Sequence, residues 1–175
     1  MSIGKTNTSI ELMCNLPDPV VNKITCNSTC GITSWGTTAF VLKSKVDGSD
    51  NKKYPISIIK ISKFNTAPKV NTITVKKNGK PVGNIVTHAN SICYARKEGD
   101  SKGALFITIK NPKDKVQVIK INTSGIVEQE LYRYTSKGEK AAINTLTFYG
   151  NIKGKMYFIC PAGTYNGKIK YKLLE

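Results

Sequence analysis

Apolar and polar residues alternate with a period of two over most of this chain. Turn residues interrupt the alternation every roughly 8–12 residues, the rhythm of short strands in an all-β domain. Successive strand side chains point to opposite sheet faces, so each alternating run predicts one wet and one buried face. The last segment is the cleanest: Lys168, Lys170 and Lys172 fall on one face, Ile169, Tyr171 and Leu173 on the other. Asn166-Gly167, a tight-turn dipeptide, links it to a strand over Met156–Cys160. Leu105, Ile107 and Ile109 alternate with Phe106, Thr108 and Lys110, and Pro112 and Asp114 mark the turn that follows. In Lys115–Asn122, Val116 and Val118 share one face while Ile119 and Ile121 share the other. That slip predicts a bulge or a strand covered on both sides. Val70–Lys77 places Ile73 and Val75 inward, Asn78-Gly79 predicts a type I′ hairpin, and Pro81 opens the return strand. Tyr54–Ser62 and Thr38–Lys43 complete the central set, and Ile126–Tyr134 fits a short helix or an edge strand. No segment carries a helical stripe. The expectation is an all-β fold: a single antiparallel β-sandwich or jelly roll over residues 36–175, with an extended N-terminal arm over residues 1–35.

Composition refines that picture. The 175 residues suit one domain, and 39% apolar content is enough for a core. No apolar run approaches the ~18–20 residues of a membrane helix, so no membrane span is expected. No signal peptide is visible at the start, although a cell or virion surface is the favoured setting. The formal net charge of +16 raises the prospect of an anionic partner. Only Arg96 and Arg133 carry guanidinium groups, however, and the lysines are spread along the chain. Bidentate reading of guanine edges favours arginine, so sequence-specific nucleic-acid binding is not expected.

The candidate chemistry is sparse. Cys14, Cys26, Cys30, Cys93 and Cys160 are an odd set, three of them in the arm. They read equally as disulfide candidates or as buried reduced thiols. Cys26 and Cys30 have the spacing of half a zinc knuckle, but there is no second close pair and His88 is the lone histidine. Neither a metal nor another cofactor is expected. Cys30 and His88 could form the minimum of a cysteine hydrolase, yet the residues after Cys30 disfavour the helix that would lower its pKa. No phosphate-binding loop, dinucleotide fingerprint or serine-hydrolase elbow is present. Six tyrosines crowd the C-terminal third. Tyr132, Tyr134 and Tyr165, with Lys168, Lys170 and Lys172, are the expected contacts if the chain binds a ligand.

The stretch from Met156 to Tyr171, with the corner Ala162-Gly163-Thr164-Tyr165, resembles the closing strands of bacterial extracellular β-sandwich modules. The resemblance implies the fold and an exported setting, and no ligand. The leading functional expectation is a non-enzymatic structural subunit of a virion, spore surface or filament. It would self-assemble as a homo-oligomer through an arm that donates residues 8–14 to a neighbour's sheet edge, locked by a disulfide. The second is a module that binds carbohydrate or an anionic polymer. The third is the cysteine hydrolase.

Overall fold

The computed structural model describes residues 14–45, 52–64, 66–82, 86, 89–109, 116–132, 135–136, 139–140, 145–165 and 168–174. The described residues are all-β, arranged in several antiparallel sheets. Eleven strands are longer than two residues: β1 (Ser28–Trp35), β2 (Thr38–Ser44), β3 (Ile56–Ser62), β4 (Lys69–Thr74), β5 (Ala89–Ala95), β6 (Ala104–Ile109), β7 (Val116–Asn122), β8 (Val127–Tyr132), β9 (Thr147–Ile152), β10 (Lys155–Tyr165) and β11 (Lys168–Leu174). The first sheet has the order β1-β2-β3-β4 and the second β8-β7-β6-β5, so each is built of strands that are neighbours in the chain. A third sheet follows the order β9-β10-β11.

Alternation decides how the sheets stack. In β6 the odd positions Leu105, Ile107 and Ile109 turn to the first sheet, where they meet Phe40, Leu42, Ile56 and Ile58 in the main core. The intervening Phe106 turns to the third sheet and packs with Phe158, Cys160 and Leu146. Every residue of β6 is buried, because this strand is covered on both faces. The slip in β7 has the same origin. Val118 joins the second cluster while Ile119 and Ile121 join the main core, and the register shifts between Val116 and Val118 and again between Lys120 and Ile121. Burying one such aliphatic side chain contributes about 1.5–3 kcal/mol.

The two four-stranded sheets also meet along their edges. On one side β1 lies against β5: a Cβ on Gly31 would stand 3.1 Å from the Ile92 nitrogen, so only glycine fits without displacement. Thr33 Oγ1 accepts the Tyr94 N–H at 3.1 Å across the same seam. On the other side the Lys76 N–H donates to the Gly125 carbonyl at 2.8 Å, and Lys77 pairs with Glu130. Gly125 has φ +90, and a Cβ there would sit 2.5 Å from Ile73, which makes it the one residue this contact admits. Asn78 and Gly79, both with positive φ (52 and 75), form the expected tight turn between Lys77 and Lys80.

The N-terminal stretch differs from an arm ending at residue 35. Ser28–Trp35 is an edge strand paired along its length with β2, so the first sheet begins inside that stretch. Upstream, Cys14 packs on the outer face of the first sheet against a cluster of Ala39, Val41, Ile59 and Ile61. Asp18 reaches Lys43 on the same face, with Nζ to Oδ1 at 2.7 Å. Lys43 is only 5% exposed, and this contact is what its charge requires. The described part of the N-terminal stretch therefore lies on its own sheet. Of the segment expected to be donated, residues 8–14, all but Cys14 lies outside the described residues.

Candidate binding cleft

The main core opens at one end, and four planar groups stand in a row there. Phe40, the first main-core residue of β2, faces the Tyr94 ring with centroids 6.3 Å apart and planes 5° from parallel. Tyr94 stacks on Trp35 at 5.2 Å and 23°. The Arg96 guanidinium carbon lies over the Trp35 ring, 4.9 Å from its centroid. Trp35 ends β1, immediately before the turn at Gly36 with its φ of +56, and its indole is 51% exposed.

Local structure holds each member of this ladder. The Tyr94 backbone is tied to β1 through Thr33. Its ring rests against Gly103, where a Cβ would come within 2.4 Å of the phenol carbon and oxygen. Asn151 on β9 fixes the segment around Arg96: its side-chain nitrogen donates to the Arg96 carbonyl at 3.0 Å and its oxygen accepts from the Glu98 N–H at 3.2 Å. Lys60 is the cross-strand partner of Phe40 and stands at the same mouth. A shallow hollow of about 210 Å³ lies between Trp35, Phe40, Tyr94, Lys60 and Lys102. It shares Lys102, Gly103 and Thr123 with a second hollow of about 310 Å³ that is also lined by Lys97, Asp100, Lys120, Asn122 and Glu128. The two adjoin as the aromatic end and the polar end of a candidate cleft. Lys120 and Glu128 pair at 3.1 Å within it.

This cleft is not where the sequence directs attention. Tyr132, Tyr165, Lys168, Lys170 and Lys172 lie in strands, but their own side chains are not among those described, and Tyr134 lies outside the described residues. The residues brought together instead are Trp35, Tyr94 and Arg96, from two strands distant in the chain. The signals available in sequence were a single tryptophan just before a glycine turn and one of only two arginines.

Of the two readings of the cysteines, the chain shows reduced thiols: no disulfide joins any of the five. Three of them have a backbone partner nearby. The Cys26 thiol points to the Pro55 carbonyl at 3.8 Å, and that of Cys30 to the Ser28 carbonyl at 3.7 Å. Cys93 donates to the Tyr94 carbonyl at 3.6 Å and accepts the Phe148 N–H at 3.2 Å. Burial pushes the Cys26 thiol pKa up, against the opposing pull of Lys43. Burial likewise raises Cys30, partly offset by the Ser44 backbone N–H, and raises Cys93, partly offset by the Phe148 N–H. A cysteine nucleophile needs a lowered pKa, which is the opposite of what surrounds Cys30. His88 lies outside the described residues.

No helix among the described residues is long and apolar enough to cross a membrane. The chain matches no protein-family model, no curated protein and no solved structure.

Proposed function

We propose that this protein is a non-enzymatic binding module whose cleft takes an anionic polymer. The observation that carries the reading is the planar ladder from Phe40 to Arg96, half-exposed at Trp35 and flanked by Lys60 and Lys102. Trp35 already has Tyr94 and Arg96 against it, so a planar or ring-shaped ligand would meet the exposed part of the indole and the Arg96 guanidinium, which can stack on a ring or pair with an anionic group. The adjoining cations supply attraction for negative groups and would steer their approach. Within this reading, the two four-stranded meanders over one core are the β-sandwich, and the third sheet is an addition to it.

Trp35 is the only tryptophan, so its emission reports the cleft directly. Titration with heparin and with oligodeoxythymidylate, used as generic polyanion probes, should change Trp35 fluorescence saturably. Affinity should fall with added salt as counterions are released. Arg96→Ala should weaken both titrations. Unchanged emission with every polyanion at low salt would remove the proposal.

A self-assembling subunit is the second reading, and one observation favours it. An apolar hollow of about 370 Å³ lies on the outer face of the first sheet, beside Cys14, Phe64 and Pro68. Ile32 at its rim is 66% exposed. A neighbour's arm would bury that surface, and Cys14 is the cysteine placed to lock it. Light scattering of the reduced and oxidised protein tests this: assembly predicts large species that shrink with reductant and on deletion of residues 1–13. A monomer under all conditions ends it.

A further inference from the structure

We infer that the ligand of the cleft is an acidic glycan rather than a nucleic acid. The inference rests on the binding-module reading and concerns the polar end of the same cleft. That end mixes donors with acceptors. Asp100 and Glu128 are carboxylates, which accept hydrogen bonds and cannot donate them. Asn122 commits its side-chain oxygen to the N–H groups of Ser124 and Ile126, both at 3.0 Å, so it serves the cleft as a donor. Lys97, Lys102 and Lys120 are donors only.

Carboxylate acceptors reward a ligand rich in O–H donors. A sugar ring offers several hydroxyls, each able to give one hydrogen bond to Asp100 or Glu128 and take another from a lysine or Asn122. A deoxyribose-phosphate backbone offers no donor at neutral pH, so nothing on it offsets repulsion from the two carboxylates, whereas the hydroxyls of an acidic glycan would offset the repulsion of its own anionic groups. The aromatic end serves either ligand, because the exposed part of the indole and the Arg96 guanidinium can meet a sugar or a base alike, so it does not discriminate. Discrimination lies with the two carboxylates. An uncharged glycan is also disfavoured. Five cations (Lys60, Arg96, Lys97, Lys102 and Lys120) face two carboxylates, and one of those is already paired with Lys120. The surplus positive charge calls for carboxylate or sulfate groups on the ligand.

The test compares four probes by calorimetric titration at one ionic strength: polygalacturonate, heparin, neutral dextran and oligodeoxythymidylate. It uses the full chain, an Arg96→Ala variant, and a variant carrying Asp100→Asn with Glu128→Gln. Both altered carboxylates are at the surface, and circular dichroism confirms that each variant is folded. At least one acidic glycan should bind about tenfold or more tighter than oligodeoxythymidylate and than dextran, the scale of one charged hydrogen bond. The carboxylate variant should weaken that glycan by several-fold and tighten oligodeoxythymidylate. Arg96→Ala should weaken both. Oligodeoxythymidylate binding as tightly as the glycans, dextran equal to the best acidic glycan, or a carboxylate variant with unchanged glycan affinity would each overturn the glycan assignment. Sensitivity to Arg96→Ala would then still uphold the cleft. If no probe responds to Arg96→Ala, the site itself is wrong.

Discussion

Among the described residues, two groups of aromatic rings are arranged by different rules. Between the second and third sheets, Phe158 meets Phe106 at 4.8 Å with planes tilted by 55°, and Phe148 at 5.7 Å tilted by 59°. Tilted rings place a positive edge near a negative face, the arrangement that aromatic pairs adopt to pack a core. Around them stand Ala95, Ala104, Cys93 and Cys160, small residues that let the third sheet come close. At the mouth of the main core, Phe40, Tyr94 and Trp35 lie nearly parallel and end in a guanidinium. A parallel row gives up part of the edge-to-face attraction, and it brings the half-exposed Trp35 and the guanidinium to the solvent boundary. On the proposed function, the buried rings serve stability and the row at the mouth serves recognition.

The sharpest way to break this contrast is to remove one buried ring. Phe158→Ala should cost about 3–5 kcal/mol in urea denaturation, the range for large aromatic truncation. The fraction that remains folded should still bind heparin. A cost below 1 kcal/mol would mean that the third sheet is not held by this cluster. Gly103→Ala comes next, because its methyl group would intrude on Tyr94 from 2.4 Å and on the Ala95 carbonyl from 2.6 Å. Overpacking of this kind costs about 1–3 kcal/mol. Here it should also shift Trp35 emission and weaken heparin binding, so stability and recognition change together.

Alkaline pH should separate the two groups further. The Cys93 thiol borders the buried rings, and burial raises its folded pKa. Below the unfolded thiol's pKa of about 8.5, both states hold the proton and stability is unaffected. Above it, the unfolded chain releases the proton first, so stability falls as pH rises toward the folded value. The slope is at most about 1.4 kcal/mol per pH unit for each such thiol. Denaturation midpoints measured from pH 8 to 10 should therefore decline, and less steeply in Cys93→Ala. An identical slope in that variant would show that the thiol does not contribute. Arg96→Ala should have the smallest effect on stability, about 0.5–1 kcal/mol for an exposed cation–π contact, and yet a clear effect on heparin affinity. A loss comparable to that of Phe158→Ala would erase the distinction between the groups.

The strands were largely legible in the sequence because alternation and turn chemistry are local. Leu105, Ile107 and Ile109 share one face as their spacing implies, and Asn78-Gly79 turns with both φ values positive. Ile126–Tyr134 resolves to an edge strand over Val127–Tyr132, since its residues pair with β7 instead of closing helical turns. How the strands divide among sheets was not legible, because the sheets are joined at Gly31 against Ile92 and at Lys76 against Gly125. Nothing in a local pattern says which strand edges will meet. The cleft was hidden for the same reason: Trp35 and Tyr94 touch only because β1 lies along β5. The cysteines leave two readings open in the sequence, because odd count and close spacing suit cross-links and reduced thiols alike. Within the chain no disulfide forms, and Cys26, Cys30 and Cys93 each lie near a backbone carbonyl.

The paired seams also bear on how the chain reaches this state. Within each four-stranded sheet every pairing is between sequence neighbours, so the hairpins form by closing short loops, on a scale of about 1–10 μs each. The seams join residues such as Gly31 and Ile92, far apart in the chain, and close only after that entropy has been surrendered. The rate-limiting barrier should then lie at the docking of two preformed meanders. Substitutions at Thr33, which accepts the Tyr94 amide across one seam, should slow folding. Substitutions in the tight turn at Asn78 should act chiefly on unfolding. Stopped-flow folding and unfolding arms for the two positions would reveal that asymmetry, and a matched response at both would place the barrier elsewhere.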